Sequence, residues 1–166
     1  MKKENKKIIF LDVDGVLNSQ EDFLSLSHEE LSEMPCEVFD RPLKLLKQII
    51  DKTGAKVVIS SSWRMTLFSG TAVLYNKLIN KLGEFNIKPI SVTPMLSGEN
   101  KQRGDEIRAW LENNSDVTHF IILDDDSDMC EFTENNLVQT TYEYGLREEH
   151  VKKAIKILSN NNNNVD

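Results

Sequence analysis

Two groups of carboxylates stand out in this chain of 166 residues. Asp12 and Asp14 interrupt the apolar run "IIFLDVDGVLN" (8–18), and Asp124, Asp125, Asp126 and Asp128 close a second run, "FIILDDDSD" (120–128). Consecutive apolar residues suit a strand covered on both faces, whereas acids at its end do not suit a core. One such pair by itself reads as a solvated turn, and acids after a strand read as a helix N-cap. Two groups in one chain read differently. Unit charges about 4 Å apart repel by roughly 4 kcal/mol at an effective dielectric near 20. Acids from both groups can therefore share a crevice only with a cation among them. Hard oxygen ligands point to Mg²⁺, which keeps part of its water and commonly shares its shell with phosphate. Between the two groups, "SSSWR" (60–64) ends a third apolar run and offers hydroxyls and a guanidinium.

The elements that must position these residues alternate along the chain. Apolar, strand-like runs cover 7–13, 55–60, 87–92, 119–124 and 136–141, with helical periodicity at 41–54, 72–85, 103–113 and 146–158. In the first helical segment Leu43, Leu46, Ile49 and Ile50 share one side, and Gly54 is placed to end it. This alternation predicts an α/β domain with a mainly parallel sheet and helices on both faces. Ligands of such sheets bind at the carboxyl ends of the strands, where both acidic groups and "SSSWR" fall. The polar stretch 18–38 predicts a flap beside the first strand, with a weak helical pattern in "SHEELSEM". The chain reads as one domain over 1–158 followed by a disordered Asn-rich tail, 159–166.

Composition narrows the class. A hydrophobic share of 39% with 28% charged residues is that of a soluble globular protein. The run around Ile8 is too short to span a bilayer, and no small-residue cleavage site follows "MKKENKK", so neither a membrane partner nor a leader is expected. Cys36 and Cys130 lack metal-type spacing, which fits a reducing, cytoplasmic setting. A net charge of −7 argues against a broad nonspecific hold on nucleic acid. Nothing here bears on oligomeric state.

"DVDGV" after a hydrophobic strand, "VVIS" ending a second, a basic residue opening a later helix, and "IILDDDSD" resemble the ordered motifs of the haloacid dehalogenase (HAD) phosphatase superfamily, across residues 8–128. More narrowly, "DVDGVLN…SSSWR…RGDEIRAWL…ILDDDSDM" resembles the small HAD domains of RNA-repair proteins, relatives of polynucleotide 3′-phosphatases. The resemblance implies a three-layer, Rossmann-like (HAD-like) α/β fold with minimal or no cap. It also implies a Mg²⁺-dependent phosphomonoester hydrolase working through an aspartyl-phosphate. Asp12 would be the nucleophile and a metal ligand, and Asp14 the general acid–base, with its backbone carbonyl also on the metal. Ser60 would contact a phosphoryl oxygen, with Ser61 and Arg64 as further substrate contacts. Arg103 is the preferred cation of the third motif and Lys101 the alternative. Asp124 would ligate the metal, and Asp125 and Asp128 would bind it through water or orient its ligands.

Val16 stands where many relatives carry threonine, a departure that touches no metal or nucleophile position. The stretch 18–38 is too short for a full cap, and an open site favours a phosphorylated macromolecule or nucleic-acid end as partner. A nucleotidase or other small-molecule phosphatase, and a non-catalytic metal-binding or receiver-like module, stay open as alternatives. Receivers carry their acceptor at the end of a middle strand, and "IKPISV" ends without one. Trp63 and Trp110 read as core packing; His28, His119 and His150 form no ligand pattern.

Overall fold

The computed structural model describes residues 5–33 and 37–160, so Cys36 and all but the first two residues of the expected tail lie outside the described residues. The strands are β1 (Lys6–Leu11), β2 (Lys56–Ile59), β3 (Ser91–Val92), β4 (Val117–Asp124) and β5 (Leu137–Gln139). They form one parallel sheet in the order β3-β2-β1-β4-β5. The helices are α1 (Gln20–Leu24), α2 (His28–Glu33), α3 (Asp40–Thr53), α4 (Val73–Glu84), α5 (Arg103–Glu112) and α6 (Glu148–Ser159), with 3₁₀ turns at Ser62–Leu67 and Cys130–Phe132.

Alternation along β1 sorts the core into two layers. Ile9 and Leu11 face the apolar sides of α3, α4 and α6, through Leu43, Leu46, Ile49, Leu78, Leu82, Val151, Ala154 and Leu158. Ile8 and Phe10 face Ile107 and Trp110 of α5. Both sides of β1 are therefore apolar, which explains its unbroken hydrophobic run. The chain runs outward from β1 to β2 and β3 on one face, then returns across the other face through α5 to β4. Right-handed crossovers impose that change of face. The strand order reverses between β1 and β4, the place where sheets of this kind open a crevice.

Hydrogen bonds extend the ladder past the strand ends on the carboxyl side. Backbone N–H groups of Asp12, Ser60, Thr93 and Thr140 donate to Leu123 O, Leu11 O, Ile59 O and Asp124 O at 2.8–2.9 Å. These four bonds hold the strand ends in mutual register where the acids emerge. The expected third strand, 87–92, shrinks to Ser91–Val92 because Pro89 has no N–H to give the ladder. Gly54 ends α3 as expected: it takes φ +69° and its N–H donates to Ile50 O at 2.8 Å.

The described residues of the flap hold two short helices, one more than its sequence pattern suggests, and the first is pinned. Gln20 N–H donates to Tyr142 O at 2.8 Å, and Arg41 bridges Asp22 (2.8 Å) to Leu146 O (2.7 Å). Among the described residues no helix is long and apolar enough to cross a membrane.

The start of α5 lies almost on the turn after β4. Gly104 N–H donates to Asp128 O at 3.1 Å, and a Cβ on Gly104 would stand 2.5 Å from the Met129 carbonyl carbon. Alanine in a helix ordinarily stabilises relative to glycine. Here backbone would have to move. Gly104→Ala is expected to cost about 2 kcal/mol and to lower the thermal midpoint by roughly 4–8 °C; a midpoint equal to or above wild type would refute the close approach.

Candidate active site

Asp12 continues β1 and Asp124 ends β4, so neighbouring parallel strands deliver two acids side by side. Asp12 is 7% exposed and Asp124 fully buried. Carboxylate oxygens of Asp12, Asp124 and the half-buried Asp125 lie within 4.8 Å of one another. Gly15 makes room for the third acid: its φ is +72°, and a Cβ there would sit 2.4 Å from the Asp125 carboxyl. Asp124 Oδ1 accepts the Asp126 N–H at 3.0 Å, while its Oδ2 is buried with no hydrogen-bond partner.

The electrostatics are those of acids crowded out of water. Burial pushes Asp12 up to about 6, against the pull of the Arg103 guanidinium and of hydrogen bonds from Ser61 and the Val13 backbone. Burial, and then the charge of Asp12, push Asp124 up to about 8. Asp125 is also raised, chiefly by burial. A divalent cation suits this donor set: all three ligands are hard oxygens, and the orphaned Asp124 Oδ2 gains the partner it lacks.

The phosphate-binding candidates divide. Ser60, at the end of β2, is 1% exposed, and its hydroxyl is the second buried polar atom without a partner. The Arg103 guanidinium donates to the Ser60 carbonyl and acts electrostatically on both Asp12 and Asp124. Lys101 is turned away, paired with Glu106 at 2.9 Å and bonded to the Leu96 carbonyl. Of the two candidates for the third-motif cation, Arg103 is therefore the one beside the acids. Ser61 points its hydroxyl at Asp12 and also accepts the Trp63 N–H at 3.3 Å.

Two expected site residues do other work. Arg64, expected to meet substrate, is 3% exposed. Its guanidinium donates to Thr93 O (3.1 Å), Ser61 O (2.6 Å) and Pro94 O (3.5 Å) and pairs with Glu106. Its donors are taken by carbonyls and a carboxylate, so it braces loops. Asp128, expected near the metal, is exposed and outside the acidic cluster. It accepts the Arg103 N–H at 3.1 Å. It caps α5, where a carboxylate meets the positive end of the helix.

Asp14 is the exposed acid, and two side chains not anticipated for the site hold it. The Trp63 indole N–H donates to Oδ2 and the Asn18 amide to Oδ1, both at 2.9 Å. Asn18 also accepts the Gly15 N–H at 3.0 Å and donates to Glu37 O at 3.1 Å, so its amide is locked. Trp63 is buried as expected, but its polar edge serves the site. The signal was present: a buried indole N–H needs an acceptor, and an asparagine four residues after Asp14 can reach back across the turn.

Comparison with known proteins agrees with this geometry. The profile of the family described as "HAD domain in Swiss Army Knife RNA repair proteins" matches residues 8–151. The chain belongs to that family, and with it to the HAD-type phosphatases in the broad sense. No curated protein and no solved structure matches the chain.

The raised acids make a stability prediction. Asp12 and Asp124 bind protons more tightly in the folded than in the unfolded chain, so the folded state carries more protons between about pH 4 and pH 8. Metal-free stability therefore falls as pH rises through that window. In chelator the wild-type thermal midpoint should be lower at pH 8 than at pH 5, and Mg²⁺ should raise it more at pH 8. Asp124→Asn keeps the Asp126 contact but removes a buried charge. It should melt higher than wild type in chelator at pH 8, by about 1–2 kcal/mol, and lose most of the Mg²⁺ response. Identical pH slopes for the two proteins would contradict the assignment.

Proposed function

We propose that this HAD domain hydrolyses phosphate monoesters through a phosphorylated Asp12, with phosphorylated nucleic-acid ends as substrates. The observation that carries the reading is the pair of buried, unpartnered oxygens, Ser60 Oγ and Asp124 Oδ2, at the ends of β2 and β4, the two strands that flank β1 and Asp12. A protein interior seldom leaves such atoms without partners, and these two match different parts of one ligand. A hydroxyl that can donate suits a phosphoryl oxygen; a carboxylate oxygen suits a cation.

Asp12, Asp124, Asp125 and the Asp14 carbonyl would hold Mg²⁺, which when bound neutralises charge on the acids and on the phosphoryl oxygens. Arg103 and the Ser60 hydroxyl would orient the phosphoryl group. An Asp12 carboxylate oxygen attacks phosphorus, the bond from phosphorus to the leaving oxygen breaks, and Asp14 gives that oxygen a proton. Asp14, now a carboxylate, takes a proton from the water that attacks the aspartyl-phosphate. Inorganic phosphate leaves and Asp12 is restored. Over the cycle Asp14 gives one proton to the leaving oxygen and regains one from the attacking water, and its exposure lets both reach it. The indole of Trp63 and the amide of Asn18 act as positioning residues, since a misplacement near 1 Å can cost about 10²-fold in rate.

The nucleic-acid end rests on the family match and on the absence of a cap-sized insertion beside β1. The same reading takes residues 1–158 as one catalytic domain working in the cytoplasm.

The test is a Mg²⁺-dependent screen of 3′- and 5′-phosphorylated oligonucleotides, mononucleotides and sugar phosphates. Multiple turnover with a trappable aspartyl-phosphate is expected; uptake of a single phosphoryl equivalent would mark a receiver-like module. Asp12→Asn should lower kcat at least about 10³-fold while the fold persists. Trp63→Phe should lower kcat about 10- to 100-fold with KM little changed. A larger effect on KM would make Trp63 a binding or packing residue.

A further inference from the structure

Two hollows adjoin the site, one through Arg103 and one through Asp125, and they differ in charge and size. One, about 260 Å³, lies between the turn after β2 and the start of α5. It is lined by Met65, Met95, Lys101, Gln102, Arg103 and Asp128, with Ser62, Arg64 and Glu106 completing its walls. Its ionic groups are three cations against two carboxylates. The other, about 610 Å³, is bordered by Asp125, Gln139, Thr140, Thr141, Tyr142 and Glu143, with two acids and no cation. A leaving group that still carries phosphodiester charge is repelled from the second and tolerated by the first. Arg103 lines the first hollow and also donates to the Ser60 carbonyl, so that hollow adjoins the proposed phosphoryl site.

The apolar part of that hollow is sulfur. Met65 and Met95 are 51% and 39% exposed, unusual for side chains that pack well in a core. Thioethers are polarisable and bind aromatic rings favourably, commonly at the ring edge. The volume lies just under the usual range for drug-sized ligands. It has room for one ring system beside the phosphate.

We infer that the hollow between Met65 and Met95 takes the nucleobase of the terminal nucleotide, so that the enzyme recognises its substrate by one base stacked beside Arg103. This inference rests on the phosphatase reading above but is tested apart from it. Sugar edges and backbone remain outside, and no hydrogen bond to a particular base is needed, so any of the bases is accepted.

The experiment uses the Mg²⁺-loaded full chain with ¹³C-methyl methionine. The sequence holds five methionines, and the fully buried Met129 serves as internal control. A nucleoside monophosphate should move the Met65 and Met95 methyl signals upfield through the ring current and leave Met129 in place. An abasic sugar phosphate and inorganic phosphate should produce no such shift. In turnover, the base-bearing oligonucleotide should exceed its terminally abasic analogue about tenfold in kcat/KM. That ratio should fall toward one in the Met65→Ala, Met95→Ala protein. Absence of methyl shifts, equal shifts with the abasic phosphate, or an unaltered ratio in the double variant each overturn the base site. A failure of the phosphatase reading looks different: the methyl signals respond to the nucleotide, yet no phosphate is released.

Discussion

The repulsion between Asp12 and Asp124 is the constraint from which the rest follows. Neighbouring parallel strands place two buried acids at one depth in the sheet; burial raises both, and the charge of Asp12 raises Asp124 further. Burying like charges spends stability that a domain of this size has little of. The surrounding structure nevertheless enforces the arrangement. Ladder bonds past the strand ends fix the register, and Gly15 admits a third carboxylate where any side chain would have kept it out. A fold that only needed stability would have closed β1 with a hydrophobe. So much buried charge in one place is compatible with a divalent cation among the acids.

Around that conflict the protein uses a second buried network to leave Arg103 available. Arg64 is satisfied by three carbonyls and Glu106, and Glu106 also holds Lys101 and accepts the Leu96 N–H at 3.3 Å. A buried ion pair contributes little net stability, but loss of one partner strands the other charge. Its effect here is geometric. The turn after β2, the loop after β3 and the start of α5 converge on one carboxylate, so the segments that carry Ser61, Lys101 and Arg103 are fixed relative to one another. With Lys101 and Arg64 both paired to Glu106, Arg103 is the cation that acts on both Asp12 and Asp124.

This division of labour explains which parts of the site were legible in the sequence. The sheet and the meeting of Asp12 with Asp124 follow from apolar runs that end in acids, because a parallel sheet brings its carboxyl ends to one edge whatever lies between. The roles of Arg64 and Asp128 do not follow, since their residue types suit phosphate and metal equally well. What decides them is tertiary: carbonyls of Thr93 and Pro94 wait within reach of Arg64, and the open end of α5 waits beside Asp128. Trp63 was readable as buried but not as a donor, because the acceptor of its indole, Asp14, lies 49 residues away in the chain. Pattern reports which face a side chain takes; it does not report what stands opposite.

The pinned flap bears on how water is kept from the reaction. Enzymes with mobile lids exclude it by closure, but α1 is tied by backbone bonds from Gln20 and Glu21 to residues 142 and 143 and by Arg41 to Asp22. Moving it means breaking several bonds at once, one of them a charge pair whose acid is 8% exposed. On the proposed reading, enclosure on the open side comes from the substrate. A leaving group that fills the methionine-lined hollow covers the solvent path beside Arg103, so binding energy gained away from the phosphorus dries the reacting centre and strengthens its electrostatics. Small phosphoesters that cannot fill the hollow leave it wet, and on this account they react slowly even when saturating. On the proposed reading, an uncapped site would thereby obtain selectivity for large substrates from the same vacancy that admits them.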